Sequence, residues 1–175
     1  YFLLILSLYL CFCIFDKKIY PFVIVIFLLF SKSFVDYSSS GLENPLIHFL
    51  LILFFLCWIN DKKAIYYLLI FSLVFLTRPD AILLLSPAVL LVMLKKKSIK
   101  LIFLGFMPAV IWVLFSLFYY GAPIPNTALA KVGTSLALSD KFVQAFYYFQ
   151  WVFDNDLPTL IIIFFGIVSG FLNKK

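Results

Sequence analysis

Apolar runs separated by short charged blocks constrain this chain more than any other feature. The runs cover residues 1–15, 19–35, 45–59, 64–77, 81–94, 101–120 and 159–172. Of the 175 residues, 65% are hydrophobic and 13% are charged. A soluble domain is closer to half apolar and a quarter charged. Too little polar surface is left to cover a water-soluble globule. That excludes a cytosolic enzyme, a secreted disulfide scaffold and a disordered tail. The expected fold class is all-α: a polytopic transmembrane helical bundle of about seven spans, forming a single membrane domain over 1–175. The chain opens at Tyr1 inside an apolar run, without the basic flank and cleavage site of a signal peptide. It is therefore read as an internal fragment of a longer protein.

The connecting blocks alternate in charge. Residues 16–18, 60–63, 95–100 and 173–175 hold ten lysines against two acids, a net of +8. Residues 31–44, 78–80 and 121–158 hold four cations against six acids, a net of −2. Cationic loops are retained in the cytoplasm. The first set is expected inside and the second outside, which takes the chain from outside at Tyr1 to inside at Lys175. Residues 64–94 could form two spans around Arg78-Pro79-Asp80 or one long kinked helix. The hairpin is preferred, because short links between antiparallel helices are common and proline suits a helix start. No acid or base falls within the middle of a run, which disfavours an ion-coupled transporter. The scattered lysines do not form the basic face that nucleic acid requires. Cys11, Cys13 and Cys57 lie within apolar runs without metal-ligand spacing, and are read as small packed hydrophobes.

Polar chemistry gathers on the expected outer side. The first loop carries Asp36, Ser38-Ser39-Ser40, Gly41, Glu43 and Asn44-Pro45. Asp36 or Glu43 could serve as a base, a metal ligand or an acceptor for sugar hydroxyls. Ser40 and Glu43 also have the spacing of a capping box, and Asn44-Pro45 suits a helix start. His48, the sole histidine, reads better as a packed residue than as a ligand. Arg78, the sole arginine, offers a five-donor fork suited to phosphate or carboxylate. The competing reading is an intraloop pair with Asp80. In the third loop, Pro123 and Pro125 stop the sixth run, and Asn126 or Thr127 can cap a short helix carrying Lys131. Ser139-Asp140 then opens an aromatic-rich stretch to Phe153. It reads as a helix lying in the head-group layer, either as an anchor or as the roof of a lipid groove.

Glycine-rich phosphate loops, H-E-x-x-H and G-x-S-x-G are all absent, which points away from a nucleotide donor. Three outer motifs occur in order: Ser40-Gly41-Leu42-Glu43-Asn44-Pro45, Thr77-Arg78-Pro79-Asp80, and the stretch from Tyr119-Tyr120-Gly121 through Pro125-Asn126-Thr127 to Ala130-Lys131. Together they resemble a branch of the C-type (GT-C) integral-membrane glycosyltransferases, that of the cell-wall arabinofuranosyltransferases. The resemblance spans roughly residues 36–131.

It implies a multi-pass protein of a bacterial cytoplasmic membrane with its active face extracytoplasmic. The implied donor is a polyprenyl-phosphate sugar, and the acceptor a cell-envelope glycan or glycolipid. A divalent metal assists in some members. The catalytic carboxylate of the family is expected upstream of Tyr1, so no catalytic base is assigned here. Glu43 would hold sugar hydroxyls or orient the loop. Arg78 would bind the lipid phosphate, and Asp80 would orient Arg78 or face the acceptor. Asn126 and Lys131 would contact phosphate or glycan, with Asp36 a further candidate. The rival readings are a glycan polymerase or ligase, a lipid-linked sugar flippase, a transporter, or a non-enzymatic assembly subunit.

Overall fold

The computed structural model describes residues 2–14, 19–96, 98–123 and 137–172. Among them every regular element is helical and no strand occurs. The chain falls into two compact units. One comprises Tyr1–Asp16 and Glu43–Gly133, the other Lys17–Leu42 and Thr134–Lys175.

The first unit holds α1 (Phe2–Ile14), α4 (Asn44–Ile59), α5 (Ala64–Thr77), a 3-10 turn (Pro79–Ala81), α6 (Ile82–Lys96) and α7 (Ile99–Tyr120). Helix α5 is its axis, packing against α4, α6 and α7, while α1 packs on α4. The buried positions recur at helical spacing: Ile47, Leu50 and Phe54 on α4, and Leu85, Val89 and Val92 on α6. They meet Tyr67, Leu68, Ile70 and Val74 of α5 in one core. Much of the remaining surface of these helices is also apolar and exposed. Phe118 is 92% exposed and Leu83 76%. Apolar exteriors of this extent do not face water, and they point to membrane association.

Small residues let α7 approach α5 closely. Gly105, Ala109 and Ser116 are the buried positions of α7. A Cβ on Gly105 would collide with the Cβ of Leu68. This is the small-xxx-small packing that membrane helices favour. Two prolines lie inside these helices, each with a serine hydroxyl bonded to the backbone nearby. Pro87 cannot donate to the Leu83 carbonyl one turn back, and Ser86 Oγ donates to that carbonyl at 3.0 Å. Beside Pro108, the Ala109 N–H donates to the fully buried Ser72 Oγ of α5 at 3.0 Å. Neighbouring hydroxyls commonly rescue proline breaks within membranes in this way.

The chain reverses between α5 and α6. Lys63 and Ala64, at the start of α5, line one cleft together with Val92 and Lys95, at the end of α6. In an unbroken helix Lys63 and Lys95 would stand roughly 48 Å apart. Arg78 is extended, with φ −145°, as expected of a residue preceding proline.

The second unit consists of two bent helix pairs. Helix α2 (Ile19–Phe30) and α3 (Lys32–Ser39) bend by 80° about Ser31. Helix α8 (Leu138–Asn155) and α9 (Leu157–Leu172) bend by 105° about Asp156. Their elbows interlock. Ser31 Oγ and Thr159 Oγ1 share a 2.6 Å hydrogen bond. Asp156, 0% exposed, accepts from the Ser33 N–H at 2.7 Å and the Lys32 N–H at 3.3 Å. Ser31 Oγ also accepts from the Phe34 N–H, capping α3. Four N–H groups at a helix start have no partner of their own, and this elbow supplies acceptors for three of α3's.

The expectation of about seven spans is not met. Among the described residues one helix, Ile99–Tyr120, is long and apolar enough to cross a membrane, and up to three spans result if each bent pair counts as one. Length explains the shortfall. Helices α4 and α5, with 16 and 14 residues, reach about 21–24 Å, against a hydrocarbon core of about 30 Å. The run 19–35 is not continuous, because the Ser31 cap and the Asp156 carboxylate end α2 there and start α3. The first loop, 31–44, therefore contains an eight-residue helix. The Ser40/Glu43 capping box does not form: Ser40 Oγ donates to the Tyr37 carbonyl, and Glu43 precedes α4 without a side-chain cap.

Candidate functional site

Three helix ends of the first unit meet at one arginine. Helix α4 begins at Asn44, α5 ends at Thr77, and the 3-10 turn leads into α6. Gly41, with φ +76°, makes the left-handed turn that precedes Glu43. Pro45 in the first turn of α4 fixes its start.

Arg78 uses its fork fully on one edge. Nε donates to Asp80 Oδ1 at 3.3 Å, and Nη2 to Asp80 Oδ2 at 3.1 Å. This is a two-pronged carboxylate pair. Nη1 donates to Asn44 Oδ1 at 2.9 Å. Glu43 Oε1 stands 3.7 Å from Nε. Asn44 is buried, while the Arg78 and Glu43 side chains are 37% and 43% exposed. The cluster thus has a buried amide floor and a solvent-facing ionic rim.

Of the residues singled out from sequence, Glu43, Arg78 and Asp80 are brought together. The intraloop Arg78–Asp80 pair forms, and Glu43 joins it from the preceding hairpin. Asp36 lies exposed on α3 in the other unit. Asn126 and Lys131 lie outside the described residues. His48 is half-buried, one helical turn along α4 from Asn44. Asn44 itself was read only as a helix start, yet it holds Arg78. The adjacency to Glu43 was the available signal.

Comparison with known proteins finds no match. No family model, no curated sequence and no solved structure matches the chain.

The chemistry of the cluster follows from its charges. Two carboxylates surround one guanidinium, leaving one net negative charge. A guanidinium has five N–H donors, and three are engaged. The two remaining, one on each Nη, are the donors that an incoming anion would use. Among the described residues no three His, Cys, Asp or Glu side chains gather to hold an ion, and Glu43 and Asp80 already face Arg78.

A second polar cluster, in the other unit, escaped the sequence reading. Burial of Asp156 acts to raise its pKa. Hydrogen bonds from Ser33, Thr159 and the Lys32 backbone outweigh burial and hold the carboxyl down at about 2. Lys32 Nζ stands 5.4 Å over the Trp151 ring, a cation–π contact between α3 and α8. These groups are engaged with one another, and we read them as the fastening of the elbow.

Proposed function

We propose that the chain is part of a multi-pass membrane glycosyltransferase that moves a sugar from a polyprenyl-phosphate donor to a cell-envelope glycan or glycolipid. The observation that carries the reading is the 3.7 Å pairing of Glu43 with Arg78. These are the glutamate of the S-G-L-E motif and the arginine of the R-P-D motif, and they come from separate connections. The charge pattern of the loops supports an extracytoplasmic position for this end of the unit.

The roles follow from charge. During transfer, the bond between the anomeric carbon and the phosphate oxygen breaks, and the phosphate gains negative charge. The two N–H groups of Arg78 not engaged in the cluster would stabilise that charge where it develops. Asp80 and Asn44 hold the guanidinium in one orientation. Glu43 has an exposed carboxylate beside it that can accept from sugar hydroxyls. The acceptor hydroxyl attacks the anomeric carbon and loses its proton to a base that is not assigned among these residues. A non-enzymatic assembly subunit has its own support, because every partner of Arg78 named above is intramolecular and would equally fasten three helix ends.

Sugar transfer by the full-length protein separates the two. Arg78→Lys keeps the charge but loses the planar fork. Glu43→Gln keeps the shape but loses the charge. Both are expected to reduce transfer from a polyprenyl-phosphate sugar by at least about 100-fold, the loss typical of removing one transition-state donor, with membrane insertion unchanged. Transfer near the wild-type rate in both variants refutes the site.

A further inference from the structure

The opposite end of α5 holds a cleft of about 590 Å³, within the range of small-molecule sites. Lys62 and Lys63 enter it from the α4–α5 connection, and Lys95 from the end of α6. All three are exposed. Among the described residues the ion pairs are those of Arg78, and no described carboxylate lies within 4 Å of these lysines. Of the described residues that line the cleft Asp61 is the one acid, which leaves three lysines against one carboxylate.

The wall is apolar. Trp58 stacks on Phe54 and meets the Tyr67 ring edge-on. Leu91 and Val92 complete that side. Beyond it, Leu90, Leu91 and Leu94 continue as exposed apolar surface along α6. A ligand matching this shape carries a negative charge at one end and a hydrocarbon chain at the other. Free phosphate would use the lysines and leave the apolar wall bare.

We propose that this cleft binds the head group of an anionic phospholipid, with the phosphate among Lys62, Lys63 and Lys95 and an acyl chain lying along α6. On the charge-based orientation the lipid belongs to the cytoplasmic leaflet, where acidic lipids attract lysines. The site is independent of the glycosyl-transfer reading and lies at the other end of the same unit.

The test is a titration of fluorescent phosphatidylglycerol into the full-length protein in neutral detergent micelles. Saturable binding is expected, competed by unlabelled phosphatidylglycerol and at least ~10-fold more weakly by phosphatidylcholine. The triple variant Lys62→Gln, Lys63→Gln, Lys95→Gln should weaken binding roughly 100-fold, given the contribution of each lysine near an acidic lipid. Asp61→Asn should tighten it several-fold, a gain that misfolding cannot produce. Lys141→Gln, outside the cleft, should leave it unchanged. Equal competition by phosphatidylcholine, or undiminished binding by the triple variant, overturns the proposal. Displacement by millimolar inorganic phosphate also overturns it, by making free phosphate the occupant.

Discussion

Arg78 ties the start of α4, the end of α5 and the turn into α6 through one side chain, a fastening that we propose also receives an anion. Asp156 is purely a fastening. Its folded pKa of about 2 lies below the ordinary carboxylate value of 3.8. A depressed pKa adds stability above the unfolded pKa, and the contribution is lost as pH falls toward the folded one. The shift corresponds to on the order of 2 kcal/mol. We therefore expect Asp156→Asn to destabilise the protein at neutral pH, and the gap to the wild type to close between about pH 4 and pH 2. Unfolding in micelles across that range checks it, and a gap constant with pH would count against the carboxylate's role. The Glu43–Arg78–Asp80 cluster was legible because its residues sit in recognisable motifs. The Asp156 elbow was not, since its partner Ser33 is 123 residues away. Neither Ser31 nor Thr159 stands out from an ordinary loop residue until the two bends meet.

At the scale of elements, the helices followed from apolar periodicity but their breaks did not. Hydropathy sees 19–35 as one run, because Ser31-Lys32-Ser33 barely dilutes it. The hydrogen bonding at Ser31 decides the bend. Conversely, Pro87 and Pro108 sit inside continuous helices: Ser86 donates to the Leu83 carbonyl that Pro87 leaves without its donor, and Ser72 accepts from the Ala109 N–H beside Pro108. Ser72→Ala removes the hydroxyl that accepts from the Ala109 N–H and should cost about 1 kcal/mol. Glycines give a paired test. Gly105→Ala places a Cβ against Leu68 and should destabilise by about 1–3 kcal/mol despite better helix propensity. Gly166→Ala on α9 meets open space and should be neutral or stabilise by up to about 1 kcal/mol. Thermal unfolding of the two variants in one detergent distinguishes packing from propensity. Equal effects would contradict the close α5–α7 approach.

For the whole molecule, composition correctly required helices and an apolar exterior, whereas counting apolar runs overstated how many helices span. A run's length bounds the helix only if nothing bends it, and several helices here are shorter than a bilayer is thick. Orientation remains a matter of charge. In a background lacking Cys11, Cys13 and Cys57, Leu42→Cys should label from outside intact cells, and Lys100→Cys should require permeabilised ones. The reverse pattern would invert the Arg78 end. In the proposed function Arg78 receives a lipid phosphate, and the decisive measurement is the affinity of the full-length protein for a polyprenyl phosphate in micelles. Loss of charge-assisted hydrogen bonds predicts at least ~10-fold weaker binding by Arg78→Lys, measured below the melting temperature of a variant whose helicity shows that it is folded. Equal affinity in a folded Arg78→Lys protein would contradict the claim and leave Arg78 as a fastening between helix ends.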